Sequence, residues 1–274
     1  MTASTNSLPC CLTVAGSDSG GNAGVQADLR VFHGYGLHGC TVFAALTAQN
    51  PRGVSAVHAV PPEFVAAQLD AVLGVYGILA AKTGMLADAA VVETVAERLS
   101  AHPEIALVVD PVMVATSGAR LSGGDAVEAA KRLLLPLAAV VTPNIPEAEM
   151  LCGRRPGGRA ADAADLAREL YDRFGRPFLV KGGHCEGADA VDALCDGGET
   201  RLFSLPRVEN PVSTHGTGCS LAAAIAAELA LGRTLPVAAE GAKRYVRAAI
   251  AGSYLVGPEC GVLGFARGET ETAR

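Results

Sequence analysis

Apolar runs of strand length alternate with segments of helical period along the chain. Runs at residues 11–15, 40–46, 55–60, 78–82, 106–109, 139–142 and 178–181 predict strands. Helices are predicted at 23–35, 61–73, 88–100, 124–134, 146–151, 162–174, 217–231 and 236–255; in the first, Val25, Leu29 and Phe32 recur at helical spacing. Two further runs, 190–195 and 200–205, flank Asp196-Gly197-Gly198 and predict a hairpin. Strands this short and this continuously apolar are buried on both faces. The βα rhythm therefore predicts an α/β fold, a central, mostly parallel sheet with helices on both faces. No long linker, composition break or internal repeat interrupts the pattern, so residues 1–274 read as one domain with 1–9 and 267–274 frayed.

Composition narrows the class. Half of the 274 residues are hydrophobic and 18% are charged, which suits a large core and not a disordered chain. Lys and Arg number 22 against 28 Asp and Glu, a formal net charge of −6, so nothing in the overall charge draws the chain to nucleic acid or an anionic membrane. The apolar runs are far shorter than a membrane span. The start, MTASTNSLPCC, lacks the basic-then-apolar order of a signal peptide, and a cytoplasmic location is expected. The eight cysteines form no CxxC pair and show no zinc-site or disulfide spacing; seven read as small buried hydrophobes, and Cys219 is the exception.

Sheets of this kind bind ligands beyond the carboxyl ends of their strands. The chemically informative residues fall there. Residues 16–24, GSDSGGNAG, join a predicted strand to a helix, and their glycines let backbone approach a ligand. Neither GxGxxG nor GxxxxGK[ST] is present, and Asp18 and Asp28 read equally as a cap and a surface charge. Residues 213–220, STHGTGCS, place two glycines at the start of a strongly helical run, a nest of N–H groups suited to a phosphoryl group. Cys219 falls in that helix's first turn, where a thiolate is stabilised; the plainer alternative is a packed cysteine. Asp110 ends one strand, and Asn144 and Glu147 stand three apart at a helix start. Together they suit Mg²⁺ held largely through water, although Asn144 serves equally as a helix cap and Glu147 as a partner of the helix dipole. Lys181, beside Gly182 and Gly183, reaches a phosphate or is simply solvated, and His184 and His215 read as ordinary histidines. Gln49 offers donor and acceptor to a heterocycle edge, or caps a turn.

Taken together, the motifs resemble those of the hydroxymethylpyrimidine/phosphomethylpyrimidine kinases of the ribokinase-like superfamily. The resemblance runs through LTVAGSDSGG, GVQADLR, GCTVFAALTAQN, KTGML, VVDPVM, TPNIPEAEML, KGGH and STHGTGCSLAAAIAAELA, nearly the whole chain. It implies a ribokinase-like fold and phosphoryl transfer dependent on ATP and Mg²⁺. The acceptor would be the hydroxymethyl group of 4-amino-5-hydroxymethyl-2-methylpyrimidine and then its monophosphate, in thiamine biosynthesis. It implies Gln49 as the main reader of the pyrimidine, with Gly16, Ala23, Asp28, Met85 and Val112 lining the pocket. Gly216, Thr217, Gly218 and Cys219 would form the anion hole. Cys219 stands where the superfamily's sugar kinases carry an aspartate base, which makes it a candidate base. Asn144, Lys181 and Thr214 would serve ATP, and Asp110 and Glu147 the Mg²⁺. A homodimer is implied as well.

Two departures stand out. Asn22 occupies a position where the family usually has glycine. Thr116-Ser117-Gly118 lacks the lysine common before Ser-Gly, which removes a cation near the phosphates. The nearest rival is a pyridoxal/pyridoxine kinase of the same superfamily. A non-catalytic ligand-binding relative is opposed by the presence of Asp110, the nest and Lys181, and a sugar kinase by Cys219.

Overall fold

The computed structural model describes residues 7–113, 124–156, 162–183 and 187–265. The elements run β1 (Cys10–Asp18), α1 (Gly24–Gly34), β2 (His38–Asn50), β3 (Gly53–Ala59), α2 (Pro62–Leu73), β4 (Ile78–Thr83), α3 (Ala89–Ser100), β5 (Ala106–Val109) and α4 (Gly124–Leu133). They continue with β6 (Val140–Val141), α5 (Ile145–Leu151), α6 (Ala163–Phe174), β7 (Phe178–Lys181), β8 (Asp189–Asp196), β9 (Glu199–Pro206), α7 (Thr217–Ala230), α8 (Leu235–Ala251), β10 (Tyr254–Val256) and β11 (Cys260–Val262).

The first nine strands form one sheet in the order β3-β2-β1-β4-β5-β6-β7-β8-β9. The six from β2 to β7 are parallel, and antiparallel pairs add β3 at one edge and β8 and β9 at the other. Alternation along the strands splits the core in two. Leu12, Val14 and Val42 face the layer of α2, α3, α4, α5 and α6, whose Leu69, Val95, Ala129, Ala148 and Leu170 bury against them. Cys11, Ala80 and Val108 face α1, α7 and α8. Helix α7 is apolar all round, with Leu221 to Ala227 buried, because it is wedged between the sheet and α8. Its alanines let it lie close to the strands.

The chain leaves β1 toward β2 on one side and returns to β4 on the other. The crevice between these strands is the topological switch point at which open α/β sheets bind ligands.

Three differences from the sequence expectation have physical causes. β1 does not stop at Ala15: Gly16, Ser17 and Asp18 stay paired to Ala45, Leu46 and Thr47 past an irregularity after Ala15. β2 likewise runs on to Asn50, so Gln49 lies within a strand that pairs with β3, not after it. The last helix ends at Ala251, not near residue 255. Gly252 packs against Gly264 so tightly that a Cβ on Gly264 would fall 2.0 Å from the Gly252 carbonyl oxygen, and Tyr254–Val256 turns into a hairpin with Cys260–Val262. The apolar Leu255 that extended the predicted helix is an exposed strand residue.

Candidate active site

The carboxyl ends of β1, β4, β5 and β7 and the start of α7 enclose a cavity of about 580 Å³. The loop after β1 is built around Asp18, which is 2% exposed. One of its carboxylate oxygens accepts the Gly20 N–H at 2.8 Å, and the other accepts those of Asn22 and Ala23, each at 2.8 Å. Asp18 thus satisfies donors that the tight turn would leave bare. Gly24 has φ +57°, and a Cβ there would stand 2.3 Å from the Gly16 carbonyl oxygen, so glycine is required. Asn22 is different: its backbone lies outside the left-handed region, and the loop closes without a glycine there.

Across the cavity, Gly216 caps α7 in the left-handed conformation, φ +87°. A Cβ on it would lie 2.0 Å from the Asn22 carbonyl oxygen, so the two loops meet backbone to backbone. The Ser220 N–H and hydroxyl both turn back to the Gly216 carbonyl, at 3.0 and 2.8 Å. The N–H groups of Thr217, Gly218 and Cys219 come before the first intrahelical bond, and these residues line the cavity. This is the geometry of an anion site.

Three lysine–carboxylate pairs reach the cavity, each through at least one member. Lys82 Nζ donates to Asp28 Oδ2 at 2.8 Å, the Thr13 hydroxyl donates to the same oxygen at 2.6 Å, and both charged side chains are fully buried. Lys181 Nζ donates to Asp110 Oδ1 at 2.7 Å, where the Thr142 hydroxyl also donates. Lys243 Nζ donates to Asp192 Oδ2 at 2.7 Å. Lys181 Nζ lies 3.5 Å from where a Cβ on Gly218 would stand, so it sits between the Asp110 carboxylate and the nest.

Electrostatics follow from this crowding. Burial pushes the Glu147 carboxyl up to about 7; Lys181 draws it down, while Asp110 pushes it further up. Burial also pushes the Cys219 thiol up, Lys82 and the Gly24 N–H pull it down, and Asp28 and Asp110 push it up. The helix terminus is thus opposed by desolvation, and the thiolate is less favoured than helix position alone implies. For the sealed Lys82–Asp28 pair the ammonium is held charged, its value raised by Asp28 against the cost of burial.

Most of the expected residues line the cavity: Gly16, Ala23, Gln49, Met85, Asp110, Val112, Asn144, Glu147, Lys181, Thr214, Gly216, Thr217, Gly218 and Cys219. Asp28 does not. It lies behind the wall, fully buried, because it must neutralise Lys82, and one of its oxygens has no partner. Asn144 is the N-cap of α5, in a reciprocal capping box with Glu147: each backbone N–H donates to the other's side chain, at 2.8 and 2.9 Å. Capping and cavity lining therefore coexist. Gln49 is clamped by Ser19, whose hydroxyl donates to its carbonyl and accepts its N–H, each at 2.8 Å; the Thr47 hydroxyl lies 3.1 Å from its Oε1. Residues 116–118 and His184 lie outside the described residues.

The sequence offers no site role for Lys82, which is legible only as a charge at the end of an otherwise apolar strand, ILAAK. The cap read for Asp18 is what the structure shows, its carboxylate holding the N–H groups of the loop.

A parallel sheet with an anion nest at its switch point and cations beside it suits a phosphotransferase, and the solved structures it resembles make the fold that of the ribokinase-like kinases. The chain belongs to the phosphomethylpyrimidine kinase family, whose pattern matches residues 18–263. It is 47% identical over 266 residues to the hydroxymethylpyrimidine/phosphomethylpyrimidine kinase of Streptomyces coelicolor, covering 95% of this chain and 96% of that one. It is 49% identical over 239 residues to a thiamine biosynthesis bifunctional protein of Geobacter sulfurreducens; the match takes in 87% of this chain but spans only 48% of that longer protein. Among solved structures, Bacillus subtilis pyridoxal kinase in its ADP complex superposes with a TM-score of 0.84 at 32% identity, covering 94% of this chain and 97% of that one.

Proposed function

We propose that the chain transfers phosphoryl groups from ATP to the hydroxymethyl group of 4-amino-5-hydroxymethyl-2-methylpyrimidine and then to its monophosphate, in thiamine biosynthesis. The observation that carries this reading is the convergence of Gln49 and the Gly216–Cys219 nest on one cavity, flanked by Lys181 and Asp110, in a chain of this family.

The chemistry follows from placement. Phosphoryl transfer asks mostly for positioning and charge neutralisation. The Gln49 amide pairs with the heterocycle edge, and Ser19 fixes its backbone. The N–H groups at the start of α7 take the transferring phosphoryl oxygens, and Lys181 adds a point charge. Cys219 takes the hydroxyl proton on its sulfur, and Lys82 and Lys181 favour the thiolate. Asp110 and Glu147 fit Mg²⁺. They are hard oxygen donors lining one cavity, and burial raises the Glu147 carboxyl to about 7 even with Lys181 drawing it down, a cost that a bound cation would offset. Bound there, Mg²⁺ would neutralise phosphate charge. Asn144 and Thr214 line the same cavity and would serve ATP.

The test is a product assay with ATP, Mg²⁺ and the pyrimidine alcohol that resolves mono- from diphosphate. Both products are expected, and ATP turnover that ignores the pyrimidine would overturn the reading. Cys219→Ser should lower kcat by about 100-fold or more; near-normal turnover removes it as the base. The similarity to pyridoxal kinase keeps a vitamin B6 alcohol as the second reading, and kcat/KM for the two alcohols decides between them.

Residues 1–274 are proposed to act as one domain in a cytoplasmic homodimer. Sedimentation tests the oligomeric state directly. Among the described residues, no helix is long and apolar enough to cross a membrane.

A further inference from the structure

At the opposite end of the sheet, three soft ligands converge. Cys10 opens β1 and His38 opens β2, and strand register sets Cys10 opposite His38 and Leu12 opposite Cys40. With side chains alternating, all three fall on the same face. The two thiols and the imidazole present ligand atoms that all lie within 4.8 Å of one another, the only such group of three among the described residues. The sulfurs are 3.5 Å apart. That is too far for a disulfide, which needs about 2.05 Å. It is close to the roughly 3.8 Å that two thiolates span on a tetrahedral zinc with bonds of about 2.3 Å. Cys10 and Cys40 are buried, and His38 is exposed and stacks on Tyr76, ring centroids 5.5 Å apart.

We propose that Cys10, His38 and Cys40 form a Zn²⁺ site, with water completing the tetrahedron. The donor set of two sulfurs and one imidazole excludes hard cations such as Mg²⁺ and selects zinc or monovalent copper. Charge decides between these two. Two thiolates and a neutral imidazole around Zn²⁺ sum to zero, whereas the same ligands around a monovalent ion leave a net negative charge where the thiols are buried. Binding releases both thiol protons to solvent. Protons compete with the metal for the sulfurs, so uptake strengthens as pH rises. The ion would pin the first two strands of the sheet at the ends remote from the active site.

The test uses the full chain, stripped with chelator, reduced, and held in excess Mg²⁺ so that the oxygen-lined site is occupied. Titration with Zn²⁺ should show one equivalent bound, and Co²⁺ should give a thiolate-to-cobalt charge-transfer band. Cys10→Ser with Cys40→Ser should abolish the band. Because those positions are in the core, the deciding variant is the exposed His38→Ala. It should weaken Zn²⁺ binding by at least roughly tenfold and leave pyrimidine kinase activity and circular dichroism unchanged. Absence of the cobalt band, Zn²⁺ affinity unaltered by His38→Ala, or quantitative Cys10–Cys40 disulfide in place of metal uptake would each overturn the proposal.

Discussion

Two lysine–carboxylate pairs meet the same cavity, one through its lysine alone and one through both members, and they are not equivalent. Lys82–Asp28 is sealed: both side chains have no exposure, and Thr13 adds a third partner. Lys181–Asp110 is just as short, at 2.7 Å against 2.8 Å, but its lysine keeps 14% of its side chain exposed and stands beside the nest. Burial is expensive for both. Lys82 reaches the cavity lining, but its charge is already matched by Asp28, so the pair holds strand β4 to helix α1. The open pair is positioned to exchange its partner for a phosphate or a metal. Similar distances thus conceal different functions, and solvent access separates them.

Breaking the sealed pair should have the largest effect. Lys82→Met leaves Asp28 buried and uncompensated and should reduce the unfolding free energy by about 3–5 kcal/mol in urea denaturation. Adding Asp28→Leu should restore most of it, and an unaltered single variant would mean that the pair is not structural. Next is Gly216→Ala, where the added carbon meets the Asn22 carbonyl and disturbs the nest. A loss of about 100-fold or more in kcat is expected in steady-state assays, because the donors lose their aim. Lys181→Met tests the open pair. It should lower kcat/KM by about 100-fold while changing stability by less than Lys82→Met does in the same urea experiment. If it destabilises as much, the contrast between the pairs collapses. The smallest effect belongs to Asn22→Gly. Its backbone has no need of glycine, so a stability loss of about 1 kcal/mol or less and nearly unchanged kcat are expected from denaturation and turnover measurements.

Much of this was legible in the chain, for identifiable reasons. Near-continuous apolar strands between helical periods specified the parallel sheet, and the glycine-rich segments fell at strand ends. What could not be read depended on pairing partners remote in sequence. β1 and β2 outlast their apolar stretches because they pair with each other, and β2 again because it pairs with β3. The last helix stops early because Gly252 meets Gly264. At the site, Asp28 looked like a wall residue because nothing local tells a carboxylate that faces a ligand from one that faces a buried lysine on another strand. Cys10, His38 and Cys40 follow no metal-binding spacing, since strand register and not sequence interval brings them together.

The contact between Gly216 and the Asn22 carbonyl has a mechanical consequence. A carbonyl filling the space of a missing side chain leaves the two loops one joint instead of two. Any side chain at residue 216 would therefore be felt in the first loop as much as at the start of α7.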